Sequence, residues 1–348
     1  MTRETGGTSA EIIRSVSGYL DQVLPKDDVE FYRGECEDFG GTTCVSSALR
    51  EEKTLRNWRK HVKSFKHEAY FSITEEEREH EIAFARHYGI KTNLLDITAN
   101  PLVALYLACD GGDSQNGVVY LFDGDYIRFS DIARSVDNDF DFQLYVSELA
   151  ELADKKIDLS GAAIKDSELQ KNLKKTLNKF EEYNRSSGRL DKYTTRLQDF
   201  LEPWLERHGE KRDLSFSETI DGISDGVSKY LHLLATYFSL APEIKKEAGK
   251  IQYENFIPNL LYRPLINYKR GIQQSSAFFY QVSARDKPSY SLVDHSLHTI
   301  FNITNAGRIK VDGRKKEDIL KELDKLNINV ATVYGDLDSI AEHVQRKE

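Results

Sequence analysis

Arg33 stands between an aromatic pair and a glycine in Phe31-Tyr32-Arg33-Gly34-Glu35, at the end of a short apolar run. An arginine there suits a core badly, whereas its planar fork matches a phosphate or pyrophosphate through parallel hydrogen bonds. An ion pair with Glu35 or Glu37 is the other reading, and the residues leave both open. Gly34 allows either a ligand or a backbone to come close. A second polar cluster follows downstream, where His87, Tyr88, Thr92, Asp96 and Thr98 surround the apolar pair Leu94-Leu95 and lead into Asn100-Pro101. Polar side chains where a strand meets a helix start are where folds keep binding sites. Each has a plainer use as well. His87 suits the negative end of a helix, Asp96 a turn, the two threonines a strand, and Tyr32 or Tyr88 a core rather than a stacked ligand.

Several chemistries are excluded or disfavoured. Neither the G-x-x-x-x-G-K-S/T phosphate loop nor the G-x-G-x-x-G dinucleotide fingerprint occurs. His80-Glu81 begins like a zinc-protease helix, but Phe84 occupies the position of the second histidine, and no metal is expected. A net charge of −9 disfavours a nonspecific nucleic-acid clamp. The lysines and arginines of the 170–212 stretch are interleaved with acids and read as a solvated helix face. No run approaches the roughly 18 apolar residues of a spanning helix, so no membrane partner is expected. The start of the chain is polar and lacks a signal-peptide core. Three cysteines without C-x-x-C spacing point to free thiols in a reducing cytoplasm.

The elements that must position these residues are legible in part. Residues 9–24 carry Ile12, Ile13, Val16, Tyr19, Leu20 and Val23 at helical spacing, and 29–33 read as a strand ending at Gly34. A helix is predicted over 49–61. A second starts at Thr74 with the capping-box partner Glu77 and runs to about Tyr88, where Gly89 supplies a left-handed cap. A strand over 92–98, a helix over 102–109 capped by Asn100 and Pro101, and a strand over 118–122 follow. From 125 to 249 the pattern is helical and charged, with segments at 169–185, 190–201 and 227–240, and with Pro203 and Pro242 as breakers. Strand character returns at 251–256, 278–282, Ile303 and 309–311. A helix over 315–326, a strand over 330–334 and a helix over 336–345 close the chain. The expectation is an α+β fold, a compact mixed sheet flanked by helices and split in sequence by a mostly helical insert. Its pieces are 1–123, 124–250 and 251–348.

Tyr32-Arg33-Gly34, His87-Tyr88-Gly89 with Thr92, Leu94-Leu95-Asp96 with Thr98, and Pro101-Leu102 with Ala104-Leu105-Tyr106 resemble the FRG domain, named for its Phe/Tyr-Arg-Gly motif. Pro264, Arg270, Gln273 and Gln274 with Phe278 resemble a later segment of that family, and 316–344 its closing elements. The resemblance spans 28–123 and 251–345. Arg86, Asn93, Ile97 and Ser275 replace the glutamine, arginine, tryptophan and glycine usual in the family, and Phe278 comes one position late.

The order of motifs is in turn similar to that of compact ADP-ribosyltransferases. That likeness implies that Arg33 holds the phosphate or ribose of NAD and that Thr92 or Thr98 braces the pocket. Gln273 or Gln274 would then be the late polar residue, with Glu254 as a fallback acid. Tyr32, Gly34, His87, Tyr88, Asp96 and Arg270 complete the implied binding set. The implied activity is NAD hydrolysis or ADP-ribosyl transfer by an effector of a bacterial toxin or phage-defence system. The alternatives are a non-catalytic module for a nucleotide or phosphate and an effector acting on nucleic acid. A nucleotide-like small molecule is the expected ligand, and the helical insert is the expected surface for any protein partner.

Overall fold

The computed structural model describes residues 12–111, 114–123, 126–128, 189–208, 233, 259–264, 269–281 and 305–346. Its strands are β1 (Ile12–Ile13), β2 (Val29–Glu35), β3 (Leu94–Thr98), β4 (Gly117–Asp123), β5 (Tyr126–Arg128), β6 (Asn259–Tyr262), β7 (Ser276–Tyr280) and β8 (Asn305–Val311). Its helices are α1 (Val16–Val23), α2 (Glu52–Ala69), α3 (Glu75–Glu79), α4 (Glu81–His87), α5 (Pro101–Cys109), α6 (Arg189–His208), α7 (Lys269–Gln273), α8 (Lys316–Lys325), α9 (Val330–Tyr334) and α10 (Leu337–Arg346). The described strands form a single mixed sheet in the order β1-β8-β4-β2-β3-β7-β6-β5, so the fold is α+β as expected. Strands from both ends of the chain interleave in it. β8 lies against β4, and β7 against β3.

Helix α5 is the centre of one face. Asn100 caps it, accepting from the amides of Leu102 and Val103 at 2.9 and 3.4 Å, and Pro101 sits in the first turn. The helix is apolar nearly all round, which suits an element buried between a sheet and further helices. Val103, Ala104, Leu105, Tyr106, Ala108 and Cys109 are all buried, in one core with Tyr19 of α1, Val119 and Leu121 of β4, Ile319 and Leu323 of α8 and Val333 of α9. The opposite face of the sheet carries a second core, containing Phe31, Cys44, Leu95, Ile97, Tyr120, Phe122, Leu261 and Phe279.

Four expectations are corrected. Residues 9–24 are not one helix. Ile12 and Ile13 pair with Lys310 and Val311, and Ser15, in extended backbone, caps α1 by accepting from the Gly18 amide at 3.2 Å. The helix begun by the Thr74–Glu77 capping box ends at Glu79, because His80 leaves helical geometry and its Nδ1 lies 3.0 Å from the Tyr262 hydroxyl. Residues 330–334 form a helix rather than a strand. Asn329 and Thr332 make a reciprocal cap, and Gly335 closes the turn in the left-handed region. Pro203 lies inside α6 instead of ending it, in a helix held by the buried Leu197 and Leu201. The helix at 169–185 and the strands at 251–256 and Ile303 lie outside the described residues, as does all of 227–240 except Leu233. Among the described residues, no helix is long and apolar enough to cross a membrane.

Candidate functional site

Strand β2 is paired along its length with β4, but with β3 only at Tyr32–Thr98. Arg33 lies at the edge of that short contact. Its Nη1 donates to the Asp96 carbonyl at 2.8 Å, so the guanidinium occupies a position where a strand pair would have continued. Its Nε donates to Glu35 Oε1 at 2.9 Å, the residue two positions along and therefore on the same face of the strand. Burial works against the Arg33 charge, but the neighbouring Glu35 and Asp96 outweigh it and hold its pKa above the ordinary arginine value. The Glu35 side chain is 1% exposed. Its Oε1 also accepts from the Cys44 amide at 3.1 Å, while Oε2 has no hydrogen-bond partner among the described residues.

The other charges arrive from two directions. Arg86, in the last turn of α4, places Nη2 2.6 Å from Asp96 Oδ2. Arg50, just before α2, donates Nε to the Val45 carbonyl at 2.9 Å, and its two terminal nitrogens have no partner among the described residues. Burial, then the like charges of Arg33 and Arg86, pull its pKa below the ordinary value, while Glu35 and Asp96 act the other way. Among the described residues, the Arg50 charge is thus felt alongside two other guanidinium groups and two carboxylates, with one positive charge in excess. Beneath them, burial is the largest influence on the Cys44 thiol, pushing its pKa well above the usual range, and on the Tyr120 hydroxyl, raised to about 12. Both stay neutral and add no negative charge.

The loop bearing Arg50 is strapped down by one buried amide. Gln281 donates Nε2 to the Cys44 carbonyl at 2.8 Å and accepts from the Ser46 amide at 2.6 Å, matching a backbone partner atom for atom. Asn93 holds the backbone of Gln281 in turn, donating Nδ2 to its carbonyl at 2.9 Å. Gln281→Ala leaves a buried donor and a buried acceptor unpaired, each costing about 1–3 kcal/mol. The expected result is about 2–6 kcal/mol lost in urea unfolding, together with weaker anion binding because Arg50 is no longer held. Unchanged stability would show that the strap is not formed.

Of the sequence-predicted residues, Arg33 and Asp96 lie in this cluster. Thr98 is one strand pair away with its hydroxyl committed, since Oγ1 donates to the Gln274 carbonyl at 2.5 Å and accepts from the Asn100 amide at 2.9 Å. Thr92 is fully buried and accepts from the Leu94 amide through its side chain, and from Ala48 through its backbone. Gln274 receives the Ser276 hydroxyl at 3.4 Å. Gln273 turns away to the closing helices, where a Cβ on Gly335 would fall 1.7 Å from its Oε1. Tyr32 is buried in the α5 core, and the close approach permitted by Gly34 is to helix backbone rather than to a ligand. His87 and Tyr88 stack edge to face at 5.0 Å, and Tyr88 packs on Phe65 and Phe84 at the protein surface. The Arg270 side chain and Glu254 lie outside the described residues.

Sequence reasoning passed over Glu35 as a site residue and missed Arg50 and Gln281. Gln281 carries no local signal, because its partners at Cys44 and Ser46 lie far along the chain, and Arg50, whose own hydrogen bond to Val45 is local, sits on the loop that Gln281 holds. Arg86 did carry one, as an arginine where the resemblance has glutamine. Among the described residues, no group of three His, Cys, Asp or Glu side chains is placed to hold a metal ion. No curated protein and no solved structure matches the chain. A family model does match residues 29–117, the stretch that contains Arg33, Glu35, Arg50, Arg86 and Asp96: over those residues the chain carries an FRG domain.

Proposed function

We propose that this FRG-domain protein binds the pyrophosphate of a nucleotide, NAD being the candidate, on Arg33, Arg50 and Arg86. The observation that carries the reading is that Arg33 and Arg86 pair with Glu35 and Asp96 while Arg50, electrostatically coupled to all four and lying over the Phe39 ring, has no hydrogen-bond acceptor for its terminal nitrogens among the described residues. Like charges held together cost energy, and an anion relieves that cost while accepting from the terminal nitrogens of Arg50. Arg50→Ala leaves the Glu35 and Asp96 pairs intact. It removes a charge-assisted contact worth about 1.5–3 kcal/mol, a drop of roughly ten- to a hundredfold in affinity. Titration calorimetry with NAD reads this directly. Arg50→Lys recovers only part, because the ammonium lacks the fork. Equal affinities of wild type and Arg50→Ala would sink the reading.

A second reading, ADP-ribosyl transfer or NAD hydrolysis, is favoured by one observation. Glu35, next to Arg33, carries a carboxylate oxygen without a hydrogen-bond partner among the described residues. A positioned carboxylate stabilises the positive ribosyl centre of such reactions. Against it, of the polar groups implied for that chemistry by resemblance, the Thr98 hydroxyl is committed to a hydrogen-bonded turn and Gln273 lies beside Gly335, although Gln273 Oε1 and Gln274 Nε2 are buried without a hydrogen-bond partner among the described residues. Incubation with NAD and assay of free nicotinamide separates a binder from a consumer of NAD. An effector role belongs to this second reading alone, and growth arrest on expression that Glu35→Gln relieves would support it. The proposed setting is the reducing cytoplasm, supported by Cys36, Cys44 and Cys109 all being free.

A further inference from the structure

We propose that the outer face of α2, together with the exposed ring of Phe71 at its end, binds single-stranded nucleic acid. This surface is separate from the nucleotide reading, because none of its residues belongs to the arginine cluster.

Helix α2 has two unlike faces. On one, Leu55, Trp58 and Val62 are buried, the Phe65 ring lies 5.8 Å from that of Phe84, and Lys66 Nζ lies 2.6 Å from the buried Glu81 carboxylate. These contacts fix the rotation of the helix against α4. The face turned outward carries Lys53, Arg56, Lys60, Lys63 and His67, all exposed. Their spacing of three, four, three and four residues sets them in one line along the helix. At the usual helical rise that line is about 21 Å long. The helix as a whole holds six lysines and arginines against two glutamates, an excess of four positive charges in a chain whose net charge is −9. Charge gathered on one face against the sign of the whole molecule suits a polyanion.

One 3-10 turn, Tyr70–Ser72, continues the line, since the Tyr70 amide donates to the His67 carbonyl and Tyr70 keeps right-handed helical backbone. Phe71 is 98% exposed, so its ring is open to solvent. It meets Tyr70 at 88°, with ring centroids 5.3 Å apart, while the Arg78 guanidinium lies 4.7 Å over the Tyr70 ring. Tyr70 is therefore the prop and Phe71 the platform. A charged track that ends on an open aromatic ring holds a strand with unpaired bases, phosphates on the cations and a base on the ring. A duplex keeps its bases stacked away from such a ring, and an acidic peptide has charge for the track but no base for the ring. A lipid surface calls for apolar residues among the cations, and the line from Lys53 to His67 has none. The acids that open α3 at Glu75 close the positive track just beyond the rings.

The test is fluorescence anisotropy of the full chain with labelled oligo(dT) and oligo(U) of about 12 nucleotides, across a salt series. Four lysine and arginine contacts predict a slope of log affinity against log salt of about −3, which Lys53→Gln with Lys60→Gln cuts by about half. Phe71→Ala weakens binding roughly five- to a hundredfold and leaves the slope unchanged, because stacking releases no counterions. Thermal melts of both variants match wild type, since the three side chains are exposed. Equal affinity for the two oligonucleotides, or a preference for one, upholds the inference and tells DNA from RNA. It is overturned if neither oligonucleotide binds at low salt, if a duplex of the same length binds as tightly, or if Phe71→Ala binds as wild type does. Polyglutamate competing as well as an oligonucleotide, or phosphatidylserine vesicles binding in place of both, also overturns it. The arginine-site reading is tested apart, because Arg50→Ala lowers affinity for NAD and leaves that for the oligonucleotides unchanged.

Discussion

Gly34→Ala is expected to remove most of the stability of this protein. A Cβ at that position would lie 1.9 Å from the Ala104 carbonyl oxygen and 2.6 Å from the Ala108 amide nitrogen. Both are backbone atoms of α5, so no side-chain rotamer relieves the clash, and the whole helix must move off the sheet. Overpacking of a core costs about 1–3 kcal/mol where side chains adjust. Displacing α5 also opens the core that it fills with Val103, Leu105 and Tyr106, so the loss exceeds that range. Against a total stability of about 5–15 kcal/mol, the variant is expected to melt far below wild type or to be recovered unfolded. Gly18→Ala is the control. It sits within α1, its Cβ would meet only Ser15 Oγ at 3.4 Å, and it is expected to stabilise by about 0.5–1 kcal/mol. Circular dichroism melts of the two variants read the difference. A Gly34→Ala protein melting with wild type would mean that α5 does not cross β2 at this residue.

Arg33→Ala is the second large effect, and it bears on how the site is studied. Removing the guanidinium leaves the Glu35 carboxylate in place, 1% exposed, with the Cys44 amide as its remaining donor. Breaking a buried pair from one side costs about 3–5 kcal/mol, because the surviving charge has lost its counter-charge. The Asp96 carbonyl loses its donor as well. The double variant Arg33→Met, Glu35→Gln removes both charges and is expected to be more stable than Arg33→Ala. A double-mutant cycle in urea would show strong coupling between the two positions. Additive losses would show that the pair is not formed. Loss of ligand binding in Arg33→Ala therefore reports folding and function together. Arg50→Ala is the cleaner probe, since Arg50 is bonded to one carbonyl and no carboxylate depends on it alone.

The helical insert and the polar residues of the later motif bear on function in different ways. The described part of the insert is one strand, one helix and Leu233, and β5 joins the sheet beside β6. The later motif contributes backbone more than side chain. The Gln274 carbonyl receives Thr98, and β7 aligns residue by residue with β3 from Leu94–Tyr280 to Thr98–Ser276. That pairing brings Gln281 to the loop before α2, and through it Arg50 to Arg33.

Local chemistry was enough for the elements whose causes are local. The Asn100–Pro101 start of α5, the Thr74–Glu77 capping box and the left-handed Gly89 and Gly335 depend on backbone groups within a turn of the residue concerned, and all but Gly335 were legible. Residues 330–334 read as a strand because Val330, Val333 and Tyr334 favour extended backbone, yet the reciprocal Asn329–Thr332 cap and Gly335 made a helix of them. Arg33 and Asp96 were legible as candidates because an arginine and a carboxylate at strand ends are unusual in themselves. By itself, the sequence determined the fold class, the caps that start α3 and α5, and the choice of Arg33 and Asp96 as candidates, two residues that the structure brings into contact. The tertiary structure alone decided that Gly34 serves helix packing, that the Thr98 hydroxyl is committed to a turn while Gln273 lies beside Gly335, that Glu35 rather than Glu37 pairs with Arg33, and that Arg50 and Arg86 join them. The physical reason is range. A cap is settled by hydrogen bonds a few residues long, whereas an excess of positive charge is a sum over side chains that only the pairing of β2, β3 and β7 brings together.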